Sequence, residues 1–315
     1  MLDEFIDKFN ALGTKKEPFF FAIDFLAKLA ILGDEKVLFR LDTKQNYTTK
    51  KTSQLAKIEK IFTSFNAYQI AFETLKDEIK KGNTYLLNLT CKTALKGEVD
   101  LEAIFHQSNA PFKVLVPDHF VCFSPERFVK IQDNIIKTYP MKGTVDASVE
   151  NASEKILADK KEMSEHVMVV DLLRNDLGIV AKDIKVTKFR YIQKIQAGQK
   201  ELLQVSSEIQ GDLGENWQCN IGSILAKLLP AGSISGTPKK KTLSLIEEIE
   251  GYERGFFTGV FGYFDGANLD SAVMIRFIEK TKDGYVYKSG GGITIDSDLR
   301  SEYQEMMDKV YVPVL

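Results

Sequence analysis

The sequence predicts an α+β fold in which antiparallel sheet is packed by helices. Three observations lead there. Segments with a period of two and segments with a period near 3.6 both recur, yet they do not alternate as strictly as a doubly wound parallel sheet requires. The stretches FFTGVFGYFD, DSAVMIRFIEKT and GYVYKSGGGIT, within residues 256–294, read as three strands joined by turns. Connections that short suit antiparallel neighbours. The chain has 315 residues, 44% of them hydrophobic, enough for one large core or two intimately packed ones.

In chain order, MLDEFIDKFN is acidic and amphipathic, FFFAIDFLAKLAILGD is densely apolar, and VLFRLD reads as a short strand. Leu55, Ile58, Phe62 and Phe65 fall on one helical face and predict a helix. Ile70, Leu75 and Ile79 continue into a second, closed by Lys80, Lys81 and Gly82. In NTYLLNLTCKTAL, Asn88 and Thr90 alternate with Leu87 and Leu89 as in a half-buried strand. DLEAIFHQS is a short helix before the strand region FKVLVPDHFVCFS, and Ile135 to Thr138 form a strand that Pro140 interrupts. ASEKILADKKEMSEHVMVVDLLRNDLG predicts a single long helix, with Ile156, Met163, Val167 and Val170 at helical spacing and Gly178 as its stop. VTKFRYIQKI and LLQVSSEIQGDL read as strands. CNIGSILAKLLP and KKTLSLIEEIEGYERG read as helices ended by Pro230 and by glycine, and SEYQEMMDKVYVPVL as a last helix and tail.

Composition removes several function classes. Lys plus Arg number 42 against 44 Asp plus Glu, so no charge excess recruits nucleic acid or an anionic membrane. Cys91, Cys122 and Cys219 are far apart, odd in number and without CxxC spacing, which argues against a zinc site or disulfide framework. No apolar stretch has the length of a membrane span and no basic leader opens the chain, so the expected location is the cytoplasm.

Several stretches concentrate reactive groups. PAGSISGTPKKKT, residues 230–242, either presents backbone N–H groups to an anion or turns before a basic helix start; it lacks Walker A spacing. Gly290, Gly291 and Gly292 cost backbone entropy, which makes sense where the chain approaches a carboxylate closely or turns tightly. Glu302 and Glu305 share a helix face, with Lys309 four residues on, and Glu162 and Glu165 repeat the spacing beside His166. Such faces are either solvated and ion-paired or, set opposite each other, a hard-oxygen site for Mg2+ beside a carboxylate substrate. Arg276 in VMIRF either forks a carboxylate in a cleft or faces water from an edge strand. Glu126 in SPERF follows a strand, and a hairpin would return Lys142 of YPMKGT to its neighbourhood. Buried together they are an acid and a nucleophile; exposed, they are a solvated strand pair.

Together these blocks resemble the chorismate-utilising enzymes, the group that includes component I of anthranilate synthase and of aminodeoxychorismate synthase and the isochorismate and salicylate synthases. The matching stretches are NTYLLNLT, FSPERF, YPMKGT, EHVMVVDLLRNDLG, SSEIQG, PAGSISGTPK, RGFFTGVFGYF, VMIRF and GGGITIDSDLRSEYQEMMDK, in the family's order between residues 82 and 309. The resemblance implies two stacked antiparallel sheets with outer helices, and a short leading region, residues 1–80, packed on a catalytic domain at 81–315. It implies Mg2+ held by Glu165 and Glu305, with Glu162 and Glu302 in support. Substrate carboxylates would be received by Arg276 and Gly290, Gly291 and Gly292, with Lys309 nearby, while Ser233, Gly236 and Thr237 shape the substrate loop. Asp171, Arg174, Asn175 and Asp176 would hold the site's helix.

PMKGT is similar to the PIKGT pattern of aminodeoxychorismate synthases, with Met141 for isoleucine, whereas anthranilate synthases carry PIAGT. In that branch the resemblance implies attack by Lys142 on C2 of chorismate while the C4 hydroxyl leaves with a proton from Glu126. Ammonia then adds at C4 and expels the lysine, giving 4-amino-4-deoxychorismate, a precursor of 4-aminobenzoate and folate. Lys142 would need burial or nearby positive charge to lower its pKa. Ser223 stands where pyruvate-eliminating members tend to have histidine. The expected partners are chorismate, a separate glutamine amidotransferase subunit supplying ammonia, and a separate aminodeoxychorismate lyase downstream. The alternatives are anthranilate synthase component I, an isochorismate or salicylate synthase, and an inactive binding subunit of the same fold.

Overall fold

The computed structural model describes residues 2–50, 55–197 and 200–312. Helix α1 (Leu2–Thr14) is followed by strands β1 (Phe19–Ile23), β2 (Ala30–Leu32), β3 (Leu38–Leu41), β4 (Lys44–Gln45) and β5 (Glu59–Ile61). Next come α2 (Phe65–Lys80), β6 (Leu86–Lys96), α3 (Leu101–Gln107), β7 (Phe112–Val116), β8 (Phe120–Ser124), β9 (Arg127–Gln132), β10 (Ile135–Thr138) and β11 (Met141–Asp146). Helices α4 (Ala152–Ala158) and α5 (Lys160–Gly178) precede the long strands β12 (Lys182–Ala197) and β13 (Lys200–Asp212). Then follow α6 (Ile221–Leu228), α7 (Gly232–Ser235), β14 (Gly236–Thr237) and α8 (Lys239–Glu250). The chain closes through β15 (Val260–Phe264), β16 (Leu269–Val273), β17 (Phe277–Thr281), β18 (Gly284–Ile293) and α9 (Leu299–Asp308).

Among the described residues the strands form two sheets of nine. Every pairing is antiparallel. One sheet runs β11-β13-β10-β9-β16-β15-β1-β2, with β12 added on β13; the other runs β14-β6-β18-β17-β8-β7-β3-β4, with β5 added on β6. The sheets are stacked. Phe20 of β1 and Phe261 of β15 share a buried cluster with Phe39 of β3, Val114 of β7 and Phe277 of β17, and the Phe20 and Phe39 rings stack at 5.0 Å. Alternate residues of β1 serve the opposite face: Phe19, Phe21 and Ile23 pack with Phe9 of α1 and Leu225 of α6. That is why all five residues of FFFAI are buried. Ile104 and Phe105 of α3 cover the outer face of the second sheet at Val121 and Ile278. The fold is therefore α+β, two large antiparallel sheets flanked by outer helices. Among the described residues no helix is long and apolar enough to cross a membrane.

Four local expectations are corrected. The helix read from Leu55 to Phe65 does not form in the described part of that stretch. Residues 59–61 are edge strand β5 on β6, and Leu55, Ile58 and Phe62 reach an apolar cluster from extended chain. Helix α2 begins only at Phe65, after Ser64 caps it by accepting from the Ala67 N–H. The single helix expected from Ala152 to Gly178 is broken at Asp159, whose extended backbone ends α4 and whose carboxylate caps α5 by accepting from the Glu162 N–H at 2.9 Å. Beyond the break the helix buries His166, Val169, Val170 and Leu173 and leaves Met163 and Val167 exposed, so the spaced apolar set spans two helices and two faces. DSAVMIRFIEKT is two strands in different sheets; the chain crosses between them, with Arg276 at a φ of 55°. Strand β6 is buried on both faces at its centre, Thr90 being 3% exposed, so its alternation does not mark a solvent side.

The cap at Asp159 yields a modest prediction. Asp159→Ala is expected to cost about 1 kcal/mol, read as a lowered thermal midpoint. An unchanged midpoint would show that the α4–α5 break is held by other contacts.

Candidate active site

The site is assembled from two helix starts, one strand edge and one glycine strand. Helix α5 begins at its Asp159 cap, which places Glu162 in its first turn and Glu165 one turn further on. Helix α9 begins at Asp298, which accepts from the Ser301 N–H at 2.9 Å and places Glu302 in its first turn. Carboxylates there also meet the positive end of each helix dipole. The register of β11 with β13 slips between Met141 and Thr144. This bulge, with Gly143 at a φ of 80°, re-aims Lys142.

The side chains converge over β18. Lys142 Nζ donates to Glu165 Oε2 at 3.0 Å, and it stands 3.6 Å from where a side chain on Gly292 would begin. At Gly291 the first side-chain carbon would meet Glu302 Oε2 and Lys309 Nζ at 3.5 Å and Glu305 Oε1 at 3.8 Å. Lys309 pairs with Glu305 at 2.6 Å and donates to the Gly290 carbonyl at 2.9 Å. Gly290 has a different need: a side chain there would lie 2.2 Å from the Leu89 carbonyl oxygen, so the pairing of β18 with β6 demands glycine.

Glu126 lies between β8 and β9, near enough to Lys142, Arg276 and Lys309 to feel their charges. Its Oε1 accepts from Ser233 Oγ at 2.6 Å. Burial raises its pKa, opposed by the Ser233 bond and by the charges of Lys142, Arg276 and Lys309. Arg276 lays its guanidinium over Tyr311 at 5.3 Å, and its Nε is buried without a hydrogen-bond partner, a donor available to a ligand. The pKa of Lys142 corrects the sequence reading. Burial presses it down, but Glu165, Glu305 and Glu162 outweigh that, so it is raised above the ordinary lysine value. Lys309 goes the other way: burial lowers it despite Glu305. The four glutamates offer the hard oxygen donors that suit Mg2+, and Glu165 and Glu305 act on the same lysine. Among the described residues no three such side chains are already gathered as ion ligands.

A cavity of about 310 Å³ opens beside Glu165, lined by Tyr85, Met168, Thr294 and Ile295. A larger one, about 520 Å³, lies between α5 and β12 and is lined by Val167, Arg174 and Phe189, none of them a site residue. Of the two, the smaller is the one lined by a candidate site residue, Glu165.

The sequence profile described as chorismate binding enzyme matches residues 27–314. The chain belongs to the chorismate-binding enzymes. It is 49% identical to an uncharacterized PabA-like protein of Pasteurella multocida, over 99% of both chains. It is 31% identical to aminodeoxychorismate synthase component 1 of Bacillus subtilis, over 78% of this chain and 54% of that one. Among solved structures, anthranilate synthase component I of Streptococcus pneumoniae superposes with a TM-score of 0.69 at 26% identity, over 81% of this chain and 59% of that one.

In this chorismate-binding enzyme the three residues expected to shape a substrate loop divide. Ser233 faces Glu126, while Gly236 and Thr237 pair with Leu87 and Leu86 of β6. Gly236, at a φ of 134°, packs against the Leu86 carbonyl too closely for any side chain. Of the four polar residues near the end of α5, Asp176 is the buried one; it accepts from the Gly232 N–H at 3.2 Å and pairs with Lys239 at 3.0 Å, fixing α7. Asp171 and Arg174 form an exposed pair. Ser223 accepts from Asn10 of α1 at 3.0 Å, so it belongs to the α1–α6 contact rather than to the group around Lys142.

Sequence reading missed the network that holds the floor. Arg254 forks Glu250 at 2.6 and 2.8 Å, with both side chains almost wholly buried. It also donates to the carbonyls of Ile234 in α7 and Asn88 in β6, and Glu250 accepts from Thr90. The one signal was a Glu–Arg pair four apart at a helix end, which usually marks a solvated surface. His166 was missed as a structural residue. Its Nε2 pairs with Ser207 Oγ at 2.7 Å, and burial lowers its pKa to about 4, so the ring is neutral at pH 7.

Proposed function

We propose that the chain is component I of an aminodeoxychorismate synthase, aminating chorismate at C4 without eliminating pyruvate. The observation that carries this reading is the placement of Lys142, the lysine of PMKGT, over Gly292 and within 3.0 Å of Glu165. An amine in that position is a nucleophile for a ring lying on the glycine strand.

Arg276 and the backbone around Gly291 receive the substrate carboxylates. Glu165 and Glu305, supported by Glu162 and Glu302, would hold Mg2+, which when bound neutralises and orients a carboxylate. Lys142 must lose a proton before it attacks, and that loss is favoured when the charge of Glu165 and Glu305, which raises its pKa, is offset by a cation they hold. Lys142 Nζ then bonds to C2, the two ring double bonds shift, and the C4 hydroxyl departs as water with a proton from Glu126. The raised pKa of Glu126 suits a proton donor. Ammonia adds at C4, the double bonds shift back, and the C2–N bond to Lys142 breaks. We assign the ammonia supply to a separate glutamine amidotransferase subunit, the next step to a separate lyase, and the location to the cytoplasm.

Withholding ammonium tests the covalent step. The intact chain given chorismate and Mg2+ is expected to gain the mass of chorismate less one water, on Lys142. Amination by a chain that never carries this adduct under rapid quench would contradict the route.

A further inference from the structure

We propose that Arg190 is a positioning residue for Glu162 and Glu165, clamping the corner between α4 and α5 from which both carboxylates enter the site; this role rests on the metal-dependent reading above. Arg190 lies on β12 where the register with β13 slips between Lys188 and Tyr191, and its φ is 50°. The bulge turns the side chain inward, leaving the residue 9% exposed. Nη1 donates to the Leu157 carbonyl at 2.8 Å and Nη2 to the Ile156 carbonyl at 3.0 Å. Both carbonyls belong to the end of α4, where intrahelical donors run out. Nη1 also lies 3.2 Å from Met163 Sδ, in the first turn of α5.

The backbone of the same residue reaches further along α5. The Arg190 N–H donates to Ser207 Oγ at 3.0 Å, and that oxygen pairs with His166, the neighbour of Glu165. One residue thus holds the end of α4, the start of α5 and, through Ser207, its second turn. Glu162 and Glu165 project from the span between these holds. The corner also backs the lysine: Glu162 Oε2 and the Ile156 side chain would lie 3.0 and 3.3 Å from a side chain on Gly143.

Energetics favour a positioning role over a filling one. The hydrogen bonds found for the guanidinium go to neutral carbonyls and a thioether, and its buried Nε has no partner. A buried cation held this way is costly, and an apolar side chain would fill the space at less cost. What an apolar side chain lacks is the planar fork that fixes two adjacent carbonyls at once.

The test is calorimetric titration of the full chain with Mg2+ alone, for wild type and Arg190→Met, beside thermal midpoints. Lys113→Met is the control. Lys113 donates to the Phe105 and Ser108 carbonyls at 2.7 and 2.8 Å at the end of α3, an equally buried clamp outside the site. The midpoints report whether each variant is folded. Arg190→Met alone is expected to bind Mg2+ about tenfold more weakly, the usual size of an outer-shell loss. A folded Arg190→Met that binds Mg2+ like wild type overturns the proposal. Should that variant not fold, Arg190→Gln, which keeps N–H donors but not the fork, carries the same criterion. Wild type that takes up no Mg2+ would instead overturn the metal reading, and the role of Arg190 with it.

Discussion

Lys142→Ala is expected to lower the amination of chorismate at saturating ammonium about a thousandfold or more, equivalent to roughly 4 kcal/mol of barrier. The change removes the atom that bonds to C2, so no repositioning of substrate restores the route. It should leave the fold intact, because the Lys142 side chain is 26% exposed and reaches toward Glu165 rather than into the apolar core. Lys142→Arg separates two accounts of the residue. It keeps the positive charge beside Glu165 but supplies no comparable nucleophile. If the lysine acts covalently, arginine is as inactive as alanine. If it acts only as a charge, arginine retains much of the rate. Steady-state turnover and thermal melts of both variants decide, and a full rate in Lys142→Ala would remove covalent catalysis by this residue.

Glu126→Gln is the second large effect, expected at about a hundredfold to a thousandfold in kcat. Glutamine keeps the shape and can still meet Ser233, but it has no proton to give the leaving hydroxyl. The pH profile carries the sign. Burial raises the Glu126 pKa, and the acid is active while protonated, so kcat falls as pH rises through that raised value. The limb should vanish in Glu126→Gln. Ser233→Ala removes a hydrogen bond that favours the carboxylate, so the limb should move to higher pH. A limb that stays in place in both variants would assign the proton transfer to another group.

The parts of this molecule that were legible in sequence are those set by local pattern. The strands at FFTGVFGYFD and GYVYKSGGGIT and the helix carrying Glu302 and Glu305 lie where the residue pattern puts them, whereas DSAVMIRFIEKT hid a crossing between sheets. What sequence hid was decided by long-range packing. Leu55, Ile58 and Phe62 have helical spacing, but an open edge of β6 offered backbone partners to 59–61, and ladder bonds won over periodicity. Asp159 reads as one more polar residue in a helix until the structure shows it capping the next one. Arg254 and Arg190 look like surface arginines because nothing local says that they are buried. Their partners, Ile234, Asn88, Ile156 and Leu157, are main-chain carbonyls, which a sequence pattern does not reveal. The raised pKa of Lys142 was hidden for the same reason: it depends on which of the glutamates face it.

The measurement that tests the central claim most directly is the identity of the product. The purified chain is given chorismate, Mg2+ and ammonium, with no lyase or glutaminase present, and the product is read by mass and ultraviolet spectrum while pyruvate is assayed in parallel. The account predicts 4-amino-4-deoxychorismate and no pyruvate. Anthranilate with pyruvate, or isochorismate or salicylate, would contradict it.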